Sequence, residues 1–222
     1  LGDREGKSIR EEIIAFHAEQ YSSDIMTLTL MGPQTLDEME QWVTEKFSTI
    51  ENKQRRGKSI SEPFVTPEQT GITIRIEPLK EIRKLVMNFP MPNVDAHYPY
   101  KPLSYFAHLI GYEGEGSLLL ALKDKGWITS LSAGGGASGS NYREFSISCT
   151  LTAKGLKKTD EIIQALFQYI RMIEEQGLEE WRYLEKRAVL ESAFRFQETN
   201  RPMDIVSHLV VNMQHYAAED TI

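Results

Sequence analysis

The chain has 222 residues, 41% of them hydrophobic and 26% charged, which is enough for one large domain or for one domain and part of another. A net charge of −7 argues against non-specific nucleic-acid binding, which needs a basic face to neutralise phosphates. A single cysteine, Cys149, excludes an internal disulfide framework and a cysteine-rich zinc cage, and no apolar run reaches the roughly 18 residues of a membrane helix.

The chain opens on Leu1 rather than Met, and Leu1 to Gly6 is polar with no apolar core behind it. No signal peptide is read there, and the natural N-terminus is expected upstream. From Ile9 to Tyr21, apolar positions at Ile9, Ile13, Ile14 and Phe16, with Ser8 as N-cap and Glu11–Glu12 in the first turn, predict a helix. Ile25 to Met31 alternates apolar residues with Thr and predicts a strand, stopped by Gly32-Pro33. Thr35 then caps a helix with the apolar stripe Leu36, Met39, Val43, Phe47 and Ile50. Residues 1–50 thus read helix, strand, helix, and one strand cannot make a sheet, so this segment is expected to be the tail of an upstream domain.

Residues 51–70 carry charge, Ser, Gly57, Pro63 and Pro67 without periodicity, which predicts an interdomain linker. Its basic run, Lys53 to Lys58, reads as a solvated loop. The second domain is expected over 71–222. Ile72 to Ile76 alternates as a strand broken by Pro78, and Arg83 to Phe89 gives another, ended by Pro90 and Pro92. Two short helices, Leu103 to Ile110 and Leu118 to Lys125, precede Gly126, a residue suited to the position after a helix C-cap. Trp127 to Ala133 is strand-like, Gly134 to Asn141 reads as a flexible turn, and Tyr142 to Thr152 returns as a strand. Three long helices follow, over Leu156–Glu175, Leu178–Glu198 and Pro202–Tyr216, the first with a core stripe of Ile162, Ile163, Leu166, Ile170 and Ile173. The pattern predicts an α+β fold, a mainly antiparallel sheet covered by helices and cut short at its C-terminal end.

No catalytic constellation emerges. No two of the five histidines, His17, His97, His108, His208 and His215, stand three or four residues apart, as a helical zinc-peptidase motif requires. His208 and His215 are two turns apart, about 10 Å by the helical rise, too far to share one ion. No Gly-x-Ser-x-Gly elbow or phosphate loop is present, and the glycine-rich stretch lies between two strands rather than before a helix. Glu174–Glu175 and Glu179–Glu180 read as solvated helix ends, and Cys149 as a packed strand residue.

The stretch Ala107-His108-Leu109-Ile110-Gly111-Tyr112-Glu113-Gly114-Glu115-Gly116-Ser117-Leu118-Leu119, followed by Leu122 to Trp127, resembles the second domain of the insulinase/pitrilysin family of zinc metallopeptidases. Phe16 to Asp24, Ala193 to Phe196 and Asn200-Arg201-Pro202 resemble the flanking parts of that family in the same order. The resemblance implies repeated α+β domains of the processing-peptidase type enclosing a chamber. Zinc is expected in the missing upstream domain of the parent enzyme, with no cofactor in this segment, which alone is expected to be inactive. In the second domain the family implies a substrate-binding exosite, carried here by the strand edge Leu131, Ser132, Ala133 and Gly134, with His108, Gly111 and Glu113 facing it. The implied partners are extended peptide substrates and the remaining domains of the same polypeptide, with neither nucleic acid nor a membrane span. The resemblance also implies a periplasmic location for a bacterial protein and a cytosolic one for a eukaryotic protein. Ala133 replaces a Gly of the family pattern, and Tyr112 and Ser104 replace His, which bears on fine specificity rather than on backbone recognition. An alternative of another class is a structural scaffold of the same fold, using the helix over Leu178–Glu198, with Trp181, Leu184, Val189 and Phe194, as a partner interface. A self-sufficient hydrolase is the third reading.

Overall fold

The structure is a computed structural model that describes residues 8–55 and 60–221. Leu1 to Gly6, and Arg56, Gly57 and Lys58 of the basic run, lie outside the described residues. The chain divides into two compact units, one formed by residues 1–59 with 198–222 and the other by residues 60–197.

The first unit holds α1 (Ile9–Gln20), α2 (Leu36–Phe47) and the helix Pro202–His215. Thr35 closes the start of α2 with a capping box. Its hydroxyl accepts from the Glu38 amide at 3.3 Å, and the Glu38 carboxylate accepts from the Thr35 amide at 2.9 Å. The Thr35 amide bond, joined by one from the Thr35 hydroxyl to the same carboxylate at 2.9 Å, holds the Glu38 carboxyl below its ordinary range. Ser8 stands at the N-cap of α1 but makes no side-chain cap bond. The strand expected over Ile25–Met31 does not form. Ser23–Ile25 is a 3₁₀ turn, Met26 after it is extended, and no ladder is formed over the residues that follow. With no partner strand among the described residues, its threonines bond to the Pro202–His215 helix instead. Thr27 Oγ1 donates to the Val210 carbonyl at 3.0 Å, and Gln214 donates to Thr27 Oγ1 at 3.2 Å. The stripe read on α2 is not a core, for Leu36 and Phe47 are exposed. Lys53 and Arg55 of the basic run reach back to α1, Lys53 Nζ to the Ala18 carbonyl at 2.6 Å and Arg55 to Glu19 at 3.5 Å.

The second unit is a three-stranded antiparallel sheet with helices on one face. Its strands are β1 (Lys84–Pro92), β2 (Ile128–Gly139) and β3 (Tyr142–Leu151), in the order β1-β3-β2. Its helices are α3 (Pro102–Ile110), α4 (Leu118–Asp124), α5 (Thr159–Gln176) and α6 (Glu180–Arg195), with the Pro202–His215 helix numbered α7. Alternation on β3 decides the faces. Phe145, Ile147, Cys149 and Leu151 are buried, while Ser146, Ser148 and Thr150 look the other way. Leu85, Met87, Phe89 and Met91 of β1 join the buried side, and Ile110, Leu118, Leu119, Leu122, Ile162 and Leu166 of the helices close the core. Each such side chain contributes about 1.5–3 kcal/mol by leaving water. The opposite face is polar, with Ser146 Oγ to Asn88 Oδ1 and Ser130 Oγ to Thr150 Oγ1 both at 2.9 Å.

Three expectations for this unit are corrected. First, β1 runs through Pro90 and Pro92 rather than ending before them. The Leu151 amide donates to the Arg83 carbonyl at 2.8 Å, so odd-numbered positions of β1 bond to β3 and even ones face away. Pro90 and Pro92 fall on the outward positions, where no ladder bond is lost. Second, Ile72 to Ile76 is not a strand. It pairs with nothing among the described residues, and Ile74 and Ile76 stand exposed. Third, the glycine-rich stretch is not a loose turn. It prolongs β2 to Gly139, paired with β3 across an irregularity between Gly135 and Ser138, and leaves only Ser140 and Asn141 as the turn.

Candidate functional site

The α3–α4 hairpin lies against β2, and the sequence explains its shape. Pro102 starts α3 at a position that needs no amide donor, and α3 ends on Gly111. Ser117 caps α4 by accepting from the Leu120 amide at 3.1 Å. The helix closes as predicted on Gly126, with φ of 68°. The Gly126 amide bonds to the Lys123 carbonyl at 2.8 Å and the Trp127 amide to the Leu122 carbonyl at 3.0 Å, which satisfies two terminal carbonyls and turns the chain directly into β2.

β2 is an edge strand, and its ladder parity decides what the edge presents. The Thr152 amide donates to the Trp127 carbonyl at 3.0 Å, so the even positions of β3 face β2. Ser130, Ser132 and Gly134 pair with Thr150, Ser148 and Ser146, and their amides and carbonyls turn inward. Leu131, Ala133 and Gly135 therefore direct their amides and carbonyls to the open side, where no strand pairs among the described residues. The side chain of Leu131 is buried, so this edge offers a fixed row of donors and acceptors with little side-chain obstruction. The far end of β2 is clamped. Asn93 Nδ2 donates to the Gly139 and Ser140 carbonyls at 3.0 and 3.1 Å, Phe64 stacks on Tyr142 at 3.6 Å between ring centroids, and Arg143 pairs with Asp95.

The other expected site residues divide. Gly111 and Glu113 stand in the segment between α3 and α4, and Glu113 is exposed with no ion-pair or hydrogen-bond partner among the described residues. His108 is turned toward α6, its Nε2 3.7 Å from Glu185 Oε2. Tyr105 and His108 of α3, and Tyr112 just beyond its end, meet Tyr183, Glu185 and Arg182 of α6 in turn.

Sequence reasoning missed Arg182. Its guanidinium carbon lies 4.8 Å from the Tyr112 ring centre and 4.4 Å from that of Trp181, and its Nε bonds to Glu179 Oε2 at 2.7 Å. The Glu179 bond raises the Arg182 guanidinium further and holds the Glu179 carboxyl low. Burial pushes the Tyr169 and Tyr105 hydroxyls up, with the Arg182 charge opposing it in both. The only signal in the sequence is an Arg three residues after Glu179 at a helix start. Among the described residues no group of three or more His, Cys, Asp or Glu side chains is placed to hold a metal ion. No helix there is long and apolar enough to cross a membrane.

Comparison with known proteins agrees with this architecture. A family model described as the Peptidase M16 inactive domain matches residues 8–190. The chain is 36% identical to insulin-degrading enzyme of Drosophila melanogaster over 214 residues, covering 96% of this chain and 22% of the relative. It is 36% identical to human nardilysin over 214 residues, covering 93% of this chain and 18% of that protein. The crystal structure of pitrilysin superposes with a TM-score of 0.92 at 28% identity, over 99% of this chain and 24% of that one. The chain thus spans about a fifth of the length of these relatives. Model match, sequence identity and superposition coincide, and the chain belongs to the insulinase/pitrilysin family of metallopeptidases, in the region described as the Peptidase M16 inactive domain.

Proposed function

We propose that this chain is the non-catalytic, peptide-anchoring part of a zinc-dependent endopeptidase, with the zinc chemistry carried elsewhere in a longer polypeptide. The observation that carries the reading is the open edge of β2, where the Leu131 and Ala133 amides and carbonyls point away from the sheet. An extended peptide adds to such an edge as a further strand. Main-chain bonds make the binding tolerant of sequence, as degradation of varied peptides requires. Glu113 adds a carboxylate for the peptide α-amine. Because Glu113 is exposed, the pair is worth at most about 1 kcal/mol, or about fivefold in affinity.

Fluorescence polarisation of a labelled, extended peptide titrated with the 222-residue chain tests this. Saturable binding that weakens about two- to fivefold on N-terminal acetylation is expected. Absence of saturable binding removes the reading. One observation favours a scaffold role as the second reading: the apolar side chains of α6, including Val189 and Phe194, are exposed. An intact His-x-x-Glu-His motif in the upstream sequence supports the peptidase, and its loss supports the scaffold.

A further inference from the structure

Arg182 occupies a position that the edge strand alone does not explain. It is three-quarters covered, its side chain 25% exposed, at the start of a helix whose other residues are mostly open to solvent. Its guanidinium lies between the rings of Tyr112 and Trp181 while Glu179 fixes its Nε. A planar cation stacked on an aromatic face and anchored by a carboxylate is held in one orientation, which a flexible ammonium would not reproduce.

Tyr112 is the residue between Gly111 and Glu113. Its ring is confined on a second side by Gly114, where a Cβ built on the glycine would fall on the phenol. The α3–α4 connection is therefore held near its start, at Tyr112, between the Arg182 guanidinium and the Gly114 backbone. A short segment whose central side chain is immobilised has little freedom to swing the residues on either side. Tyr105–Tyr183 and His108–Glu185 continue the same seam along α3, so the connection is referred to α6 as a rigid element.

We infer that Arg182 is a positioning residue, which holds the Gly111–Glu113 segment through Tyr112 so that the Glu113 carboxylate meets the α-amine of an edge-bound peptide. This rests on the peptide-anchoring reading above and deepens it, since it assigns the preference for a free N-terminus to a contact that touches no substrate. Arg182 acts only on the carboxylate-dependent part of binding. The backbone bonds to Leu131 and Ala133 are made by β2, whose register is set by β3.

The test measures affinities of a labelled peptide with free and with acetylated N-terminus for the 222-residue chain and its variants, alongside thermal unfolding. Arg182→Ala and Tyr112→Leu are expected to abolish the free-over-acetylated preference while the acetylated peptide binds as before. Tyr112→Phe, which keeps the ring face, is expected to retain the preference. In a Glu113→Gln background, which has no preference left to lose, Arg182→Ala is expected to change nothing further. If Arg182→Ala weakens both peptides alike, its role is general packing and the proposal fails. If the preference survives both Arg182→Ala and Tyr112→Leu, the proposal fails while the anchoring reading stands. If the unaltered chain binds peptide without any preference, the role of Glu113 falls and the positioning role with it.

Discussion

Replacing Ala133 by Pro separates the outward amides of β2 from the inward ones. In the free chain the Ala133 amide bonds to no strand, so its removal costs no ladder bond. Proline favours an extended residue before it, which a strand already supplies at Ser132. For an added peptide strand the loss is direct. One backbone bond contributes a net of about 1 kcal/mol, and the pyrrolidine ring standing in its place also hinders the neighbouring bond at Leu131. One to two bonds correspond to about five- to thirtyfold in Kd. Ser132→Pro is the paired control, because the Ser132 amide turns inward to Ser148 and its loss removes a ladder bond, destabilising the sheet by about 1–3 kcal/mol. Polarisation titrations and thermal unfolding of both variants are expected to dissociate, with affinity lost and stability kept in Ala133→Pro and stability lost in Ser132→Pro. Unchanged affinity in Ala133→Pro, or equal loss of stability in the two, refutes the parity reasoning.

Gly155 is buried, and a Cβ there would fall on the Trp127 carbonyl, main-chain atoms that cannot rotate aside. Gly155→Ala is expected to cost about 3 kcal/mol in chemical denaturation, and a loss below 1 kcal/mol would show that the backbone yields. Gly126→Ala forces a side chain into a left-handed conformation with φ of 68° and is expected to cost about 1 kcal/mol in the same assay, with native-state exchange rising first at the end of α4. The Cys149 thiol is pushed up to about 11 by burial, so it is expected to resist thiol reagents at neutral pH until the chain unfolds. Because the folded pKa lies above the unfolded value of about 8.5, this contribution is complete below pH 8.5 and is lost as pH rises toward 11, by about 3 kcal/mol. Cys149→Ala should remove that slope, and an unchanged alkaline slope would assign it to other groups.

The helices and the β3 strand were legible because their signals are local. Gly126 at the end of α4, Thr35 before α2 and the alternation of Phe145, Ile147 and Cys149 each report a requirement met within a few residues. The glycine-rich end of β2 was not legible, because glycine carries almost no strand propensity and its pairing is imposed by the strand beyond the turn. Arg182 was invisible for a related reason. Its meaning depends on Tyr112 lying under it, seventy residues earlier in the chain.

Ile25–Met31 and Ile72–Ile76 show the opposite failure, an alternating pattern that does not become a strand. Period-two alternation expresses a face to be buried and a backbone ready to pair, but a ladder needs a second chain segment at bonding distance. Neither segment has one among the described residues, and the isoleucines of the second stay exposed. The same physics gives the edge of β2 its significance. At Ile72–Ile76 the isoleucines share one side of the alternation, but the backbone joins no ladder among the described residues and all three stay exposed. At Leu131–Gly134 the inward amides are locked to β3, the Leu131 side chain is anchored in the core, and the outward amides are left at fixed spacing. Preorganisation of this kind removes the ordering cost from the receptor side of strand addition. For that reason the proposed peptide-anchoring role falls on the β2 edge rather than on the apolar stretches that also lack partners among the described residues.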